Sequence, residues 1–169
     1  MAKYAVVRTD AMAGTTVGSM LVSVKYMGAD KNTPTEIENG NVLKLGALAT
    51  GEREIYVGEA VTKDSKLTDV VLIATPEVMY DERKHNLDEY INEAGDICRG
   101  YRLHSGDTFS VTAEALSGAG TPAVGNVVEL ADGTKLAFAG TATVGSTSVG
   151  KIIAVENTGR YTYYVVKVD

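Results

Sequence analysis

The C-terminal end of the chain constrains the fold most strongly, because it has the pattern of a single β-hairpin. Two runs rich in β-branched and aromatic residues, 149–156 and 161–168, flank the short stretch Asn157-Thr-Gly-Arg160. Residues of this kind fit a pleated, half-buried surface, and a Gly-containing stretch of this length lets the chain reverse. The sequence therefore predicts an antiparallel C-terminal hairpin in a chain that is mainly β.

Further strands follow the same rule of residue type and period. They are predicted at residues 4–8, 21–26, 41–45, 53–60, 70–74, 108–115, 126–130 and 135–142. Turn signals such as Asn39-Gly40, Ser105-Gly106 and Asp132-Gly133 lie between them. This spacing is typical of antiparallel β-barrel or β-sandwich lobes and not of alternating strands and helices.

One segment, residues 81–94, has helical periodicity. Leu87, Tyr90, Ile91 and Ala94 are spaced as on one face of a helix, and Gly95 follows as a stop signal. We expect either a short helix or an ordered loop here. A boundary is predicted at about residues 76–80, between an N-terminal segment with a β-rich lobe (1–79) and a C-terminal β-rich lobe (80–169).

The two predicted lobes share a weak sequence similarity, which we call the echo. Gly40-Asn-Val-Leu-Lys-Leu45 resembles Gly125-Asn-Val-Val-Glu-Leu130, and a Gly-x-Ala step follows each stretch, at Gly58 and at Gly140. A duplication would produce this pattern, but so would any half-buried strand that begins after a Gly-Asn turn. We favour the second interpretation.

Charge and hydropathy exclude several classes of protein. The chain has 22 acidic and 16 basic side chains, a net charge of -6, and no cluster of Lys and Arg, so nucleic acid is not expected as a partner. The longest strongly apolar run, residues 70–74, is far shorter than the roughly 20 residues that span a bilayer. A charge early in Met1-Ala-Lys-Tyr-Ala-Val-Val-Arg8 also argues against a signal sequence.

Two glycine-rich stretches have the spacing of nucleotide-binding motifs but lack features that those motifs require. Gly145-Ser-Thr-Ser-Val-Gly-Lys151 is followed by Ile152, where a P-loop needs a hydroxyl side chain and a helix. Gly118-Ala-Gly-Thr-Pro-Ala123 contains Pro122 where a dinucleotide site needs a helix. We interpret both stretches as turns or loops.

The sequence signals for a catalytic site and for a metal site are equally weak. His104-Ser-Gly-Asp107 holds triad-type residues on one tight turn, where neighbouring side chains point apart. A single cysteine, Cys98, forms no internal disulfide, and with His85 it is expected as a buried thiol and an exposed imidazole. The densest carboxylates are expected to form a solvated face rather than a calcium or glycosidase site: Asp81, Glu82, Asp88, Glu89 and Glu93. No catalytic residue, metal or cofactor is therefore assigned; a hydrolase would depend on Asp107 or on one of these carboxylates.

The N-terminal stretch Asp10-Ala-Met-Ala-Gly-Thr-Thr-Val-Gly-Ser-Met20 is rich in small residues and carries two methionines. Methionine adapts to irregular partner surfaces, and small residues permit close approach of another chain. Met12 and Met20 could equally fill gaps in the core. Both interpretations stay open.

Several stretches together resemble the small head proteins of tailed bacteriophages. They are Asn39-Gly-Asn-Val-Leu-Lys-Leu-Gly46, Gly51-Glu-Arg-Glu-Ile-Tyr56, Gly100-Tyr-Arg-Leu-His-Ser-Gly-Asp-Thr-Phe-Ser-Val-Thr112, Val149-Gly-Lys-Ile-Ile153 and Gly159-Arg-Tyr-Thr-Tyr163. The resemblance to these capsid decoration, or cement, proteins covers most of the chain. Its motifs are patterns of strands and turns.

The resemblance implies a structural, non-enzymatic protein, made in the host cytoplasm, that binds the exterior of the virion capsid. Its partner would be the major capsid protein at the junctions between subunits. Independently of the resemblance, an antiparallel β protein must cover its exposed edge strands, so a dimer, a trimer or pairing with a capsid strand is expected. We place the capsid contact around Tyr4, Arg8, Met12 and Met20, on the strength of the small-residue loop. A tail-associated or carbohydrate-binding β module is the alternative, and tyrosines would then have to supply the aromatic faces.

Overall fold

The computed structural model describes residues 3–169, and its regular structure is almost entirely β, which confirms the predicted fold class. The strands are β1 (Val7–Ala11), β2 (Leu21–Tyr26), β3 (Val42–Leu48), β4 (Ile55–Glu59), β5 (Val70–Ile73), β6 (Cys98–Arg102), β7 (Thr108–Val111), β8 (Leu116–Ser117), β9 (Val127–Leu130), β10 (Leu136–Ala139), β11 (Ser148–Asn157) and β12 (Thr162–Val168). Short 3₁₀ turns lie at Ala13–Thr15, Gly18–Met20, Leu67–Asp69, Leu87–Glu89 and Ala113–Ala115.

Five strands close into a small barrel in the order β2-β4-β3-β5-β6. The pair β2 and β4 is parallel and the other pairs are antiparallel. The barrel interior is narrow, as two glycines show. A Cβ added at Gly58 would lie 2.6 Å from Val24 Cγ1, and a Cβ added at Gly100 would lie 3.0 Å from Val71 Cγ2. Val24, Val71 and the thiol of Cys98 fill it.

Seven strands form a second, curled sheet in the order β1-β7-β12-β11-β9-β10-β8. Its pairs are antiparallel except for the short pair of β8 with β10. Strand β1 forms one edge of the sheet, and β8 forms the other. The two halves of the C-terminal hairpin, β11 and β12, lie near its centre.

The barrel and the curled sheet share one hydrophobic core. Val42 and Leu72 on the outside of the barrel belong to the same buried cluster as Phe109 and Leu136 of the curled sheet. Backbone hydrogen bonds cross the same junction: Val61 and Gly133 exchange two, at 2.8 and 3.0 Å. The two sheets are therefore packed against each other as well as connected along the chain.

The predicted hairpin is confirmed, since β11 and β12 pair antiparallel with one register shift between Ile152 and Ala154. Each of the ten predicted strands overlaps an observed strand. The sequence missed β6 and the two-residue β8. The apolar positions of β6, whose sequence is Cys-Arg-Gly-Tyr-Arg, include a glycine. The hydrophobic periodicity of this strand is therefore weak.

The helical alternative for residues 81–94 is wrong, and the segment is an ordered loop with one 3₁₀ turn, Leu87–Glu89. Asn86 and Glu89 form a capping box, but the backbone returns to an extended conformation at Tyr90. Leu87, at the start of the expected apolar face, is exposed, whereas Asp88 is buried. Polar contacts of Asp88 with other segments therefore decide the conformation here, and helical periodicity does not.

Strand membership crosses the predicted boundary at residues 76–80. The N-terminal β1 lies in the curled sheet beside β7, and β6 completes the barrel between β2 and β5. Each sheet therefore contains strands from both sides of that boundary.

Candidate functional site

The turn at residues 104–107 is held by hydrogen bonds to the backbone. The buried carboxylate of Asp107 accepts one bond from the N–H of Ala13, at 2.8 Å, and one from the N–H of His104, at 2.9 Å. The imidazole Nδ1 of His104 lies 2.8 Å from the carbonyl oxygen of Ser105. Asp107 therefore joins this turn to the segment that follows β1.

The other chemical candidates occupy ordinary structural positions. Lys151 of the P-loop-like stretch lies within β11, where a P-loop would have a helix. Cys98 is buried as predicted, and this burial raises the pKa of its thiol to about 12, so the unreactive thiol form dominates at neutral pH. His85 is exposed, also as predicted.

Within residues 3–169 no group of three or more His, Cys, Asp and Glu side chains is arranged to hold a metal ion. None of the helical turns in the same range is long and apolar enough to cross a membrane.

The four residues predicted for capsid contact occupy different environments. Met12 is only 5% exposed and packs in the shared core, so its side chain offers little surface to a partner. Tyr4, Arg8 and Met20 keep part of their surface exposed. Tyr4 belongs to the segment before β1, Arg8 to β1 itself, and Met20 to the 3₁₀ turn before β2.

Arg8 lies over the curled sheet near its β1 edge. Its guanidinium carbon is 4.0 Å from the ring centre of Tyr163, and its Nη2 donates to Glu156 at 2.7 Å. The bond to Glu156 is the largest influence on Arg8 and raises its pKa further above the ordinary value. The hydroxyl of Ser110 donates to Asp10, so this end of the sheet carries a connected polar network.

Asp88 ties together three distant segments. Its carboxylate accepts hydrogen bonds from the Tyr161 hydroxyl at 2.6 Å and the Arg160 guanidinium at 3.1 Å. It also accepts from the N–H of Lys3, and its carbonyl oxygen accepts from the N–H of Tyr4 at 3.0 Å. Burial alone would raise the pKa of Asp88, but the bonds from Tyr161 and Arg160 outweigh it and lower the pKa to about 2.

Asp88 lies in the long connection between β5 and β6, residues 74–97, which we call the acidic loop. Connections longer than about 12–15 residues without regular structure are uncommon, and ordered ones are usually functional. Buried amides fix this one: Asn39 donates to the carbonyl oxygen of Thr75 at 2.8 Å, and Asn92 donates to that of Ile37 at 3.0 Å. The acidic loop is therefore a shaped part of the surface.

The acidic loop exposes apolar side chains. Along residues 76–80 the exposed positions alternate with half-buried ones, and Val78 and Tyr80 are 60% and 94% exposed while Glu77 and Met79 are half-buried. Ile97, at the end of the loop, is 52% exposed. A segment buried on one side normally shows the opposite pattern, with the polar residues outward.

The net negative charge of the chain is concentrated on the same loop. Residues 76–97 carry seven acidic and two basic side chains, which leaves five of the six net negative charges there. One of the two basic residues, Arg83, is bound by Asp81 through two bonds of 2.9 and 3.0 Å. The exposed apolar residues are therefore surrounded by carboxylates.

A cleft of about 340 Å³ lies beside the exposed part of the acidic loop. Two tyrosines, Tyr80 and Tyr90, contribute to its walls together with the carboxylates of Asp81, Glu93 and Asp96 and the amine of Lys84. Burial raises the pKa of Tyr90 to about 12, so its hydroxyl stays protonated, and it lies 3.3 Å from Asn92 Oδ1. The cleft combines aromatic surface with hydrogen-bonding groups.

Comparisons with known proteins add no relative: the chain matches no protein family, no curated protein and no solved structure.

Sequence reasoning missed the acidic loop as a surface, although the signals were present. Charge density alone predicts a solvated face for the carboxylates and predicts no role for Val78 and Tyr80. The useful signal was the conjunction of a local charge of -5 with unshielded apolar residues in a long connection.

Proposed function

We propose that the chain is a structural virion protein that binds the outer surface of a tailed-bacteriophage capsid, at junctions between major capsid subunits, and stabilises the head. The observation that carries the proposal is the ordered acidic loop with its exposed apolar side chains, on a body whose two sheets share one core. Exposed apolar residues inside a charged rim are typical of protein interaction sites. The sequence resemblance to decoration proteins supplies the partner.

The architecture supports a role in resisting force. The barrel and the curled sheet are joined by the buried cluster and by the paired Val61 and Gly133 backbones. Close-packed interiors of this kind have low compressibility and transmit strain. A rigid body repeated over a symmetric shell can add many weak contacts into strong attachment.

Cosedimentation with capsid shells tests the proposal. Shells would be assembled from a major capsid protein found in the same genome as this chain, in both unexpanded and expanded forms, and mixed with the purified chain. We expect saturable pelleting with at least one form and a higher disruption temperature of the occupied shells. A chain that stays in the supernatant with both forms, and leaves their disruption temperature unchanged, would overturn the proposal.

The alternative, a tail-associated or carbohydrate-binding module, is favoured by one observation, the cleft between Tyr80 and Tyr90. Tyrosine rings offer apolar faces with a polar tip, and nearby carboxylates accept hydrogen bonds from hydroxyl groups. A glycan array distinguishes the two functions. Selective glycan binding that is lost in Tyr80→Ala, with no pelleting on shells, would replace the capsid proposal by this one.

A further inference from the structure

We infer that Tyr80 and Val78 of the acidic loop insert into an apolar pocket on the major capsid protein, and that Lys and Arg side chains border this pocket. This inference rests on the proposed function and names the surface and the chemistry of the contact. It differs from the sequence-based prediction, which places the contact on the N-terminal segment.

The exposure of Tyr80 is the first step of the argument. A side chain that is 94% exposed contributes almost nothing to the packing of its own chain. Tyrosine nevertheless has a large apolar surface, and it is enriched among the residues that dominate binding energy at protein interfaces. Val78, 60% exposed two residues earlier, adds a second apolar side chain to the same exposed segment.

The acidic loop is also ordered before any partner arrives. Glu77, the residue before Val78, lies close to the buried Asn39. The side-chain amide of Asn39 donates to Glu77 Oε1 at 3.3 Å. Asn92 and Asp88 fix the remainder of the loop to the barrel and to the curled sheet. A preorganised loop avoids much of the entropic cost of ordering on binding.

Charge then selects the kind of partner. Glu82 and Glu93 are exposed and take part in none of the ion pairs found among residues 3–169. A partner bordered by Lys and Arg would complement them and would accelerate association. A second copy of the chain would bring a net charge of -6 against a loop of charge -5, which disfavours self-association through this surface.

Substitution on the exposed side chains is the first test. Tyr80→Ser should lower the affinity for shells on the order of 10-fold or more, and Tyr80→Phe should change it by less than about 3-fold, because the apolar ring carries the contact. Val144→Ser is the matched control, since Val144 is 96% exposed outside the acidic loop. All three variants should keep the melting temperature of the parent chain.

Salt and charge form the second test. The pair of changes Glu82→Gln and Glu93→Gln should weaken binding at 50 mM NaCl and reduce the loss of affinity between 50 and 500 mM NaCl. Glu52→Gln with Glu54→Gln removes the same charge from the exposed turn between β3 and β4 and should change neither quantity. Equal effects of the two pairs would overturn the role of local charge.

Photo-crosslinking identifies the occupant. With a benzoylphenylalanine at position 80 we expect a crosslink to the major capsid protein, and with the same group at position 144 we expect none. A crosslink from position 80 to a second copy of the chain would overturn the inference, and so would pelleting without any crosslink from position 80. Failure of the parent chain to pellet at all would instead overturn the proposed function.

Discussion

Asp88 shows how one buried carboxylate can organise a surface. The residue is almost completely covered, and its oxygens accept bonds from Tyr161, Arg160 and the Lys3 backbone. A buried charge is tolerated only when it is paired and hydrogen-bonded in this way. The acidic loop, the N-terminal segment and the hairpin turn are consequently joined at one point.

Replacing this carboxylate by an amide should destabilise the chain in a pH-dependent manner. The pKa of Asp88 is lowered to about 2 from 3.8, so its contribution is complete above about pH 4 and is lost as the pH falls toward 2. Asp88→Asn should lower the free energy of unfolding at pH 7 by about 1–3 kcal/mol.

Urea denaturation between pH 7 and pH 2.5 measures this effect. The difference between the parent chain and Asp88→Asn should shrink as the pH falls through the window from 4 to 2. Asp132→Asn provides a control, because Asp132 is exposed and accepts only the Lys63 N–H at 3.0 Å. A difference that stays constant over the whole pH range would contradict the assigned role.

Gly150 is a second residue whose identity the structure dictates. A Cβ at this position would lie 1.9 Å from the carbonyl oxygen of Lys167, an atom of the neighbouring strand backbone that cannot rotate away. Gly150→Ala should therefore separate β11 from β12 locally and cost on the order of 1–3 kcal/mol or more. Thermal unfolding should show a clear drop for Gly150→Ala and little change for Gly140→Ala, which has no atom within 4 Å of its added Cβ.

At the scale of elements, the acidic loop depends for its shape on contacts with the segment that precedes β3. Asn92 donates to the Ile37 carbonyl at 3.0 Å and to Asn39 Oδ1 at 3.1 Å, and all these atoms lie in buried or nearly buried positions. Ile37 and Asn92 also exchange two backbone hydrogen bonds. The loop is thus paired with the segment that leads into barrel strand β3.

Asn92→Ala should release the loop without unfolding the sheets. Hydrogen exchange followed by mass spectrometry should show faster exchange in peptides that cover residues 74–97, with the hairpin β11–β12 unchanged, because local openings follow contiguous cooperative units. Asn32→Ala removes an exposed asparagine and should leave both regions unchanged. Equal acceleration across the whole chain by Asn92→Ala would mean that the loop and the sheets open as one unit.

The strands were predictable where local chemistry determines them. The hairpin carries β-branched residues on both sides of a Gly-containing turn, and β2 was placed to the residue. Strand β6 was not, because Gly100 stands at an inward position where an added Cβ would lie only 3.0–3.2 Å from three valine side chains of the barrel. That constraint is tertiary and leaves no hydrophobic period in the sequence.

The candidate site was less predictable than the strands. The helical alternative for residues 81–94 depends on spacing alone, whereas Asp88 and Asn92 are turned inward by partners 55 to 85 residues away in the chain. Similarly, Met12 belongs to the core because Phe109, Val111 and their neighbours assemble around it. Patterns within ten residues carry no information about such contacts.

The echo between the halves has a local physical basis. Gly40 and Gly125 both have positive φ angles, 82° and 91°, and a strand begins two residues after each, at Val42 and at Val127. Glycine is the residue that adopts this backbone conformation at little cost. A Gly-Asn turn that leads into a half-buried strand thus accounts for the similarity in sequence.

At the scale of the whole molecule, the net charge is distributed unevenly between the acidic loop and the two sheets. The acidic loop carries most of the net charge, and the two sheets that support it are nearly balanced in acidic and basic residues. Repulsion within the loop is offset by the buried polar contacts of Asn39 and Asn92 and by the ion pair of Asp88 with Arg160.

The shared core makes a further prediction about unfolding of the whole molecule. Leu72 and Ile73 are neighbours on β5, but Leu72 packs in the core that joins the two sheets and Ile73 packs inside the barrel. Leu72→Ala should cost about 2–5 kcal/mol and Ile73→Val about 0.5–1.5 kcal/mol. Because the barrel cannot unfold without exposing the inner face of the curled sheet, both variants should lower the same single transition.

Scanning calorimetry together with hydrogen exchange measures this coupling. One heat-absorption peak is expected for each variant, with equal calorimetric and van't Hoff enthalpies, and Leu72→Ala should accelerate exchange in β9 and β10 although neither strand belongs to the barrel. Two resolved peaks, or an effect of Leu72→Ala confined to barrel amides, would show that the sheets unfold separately.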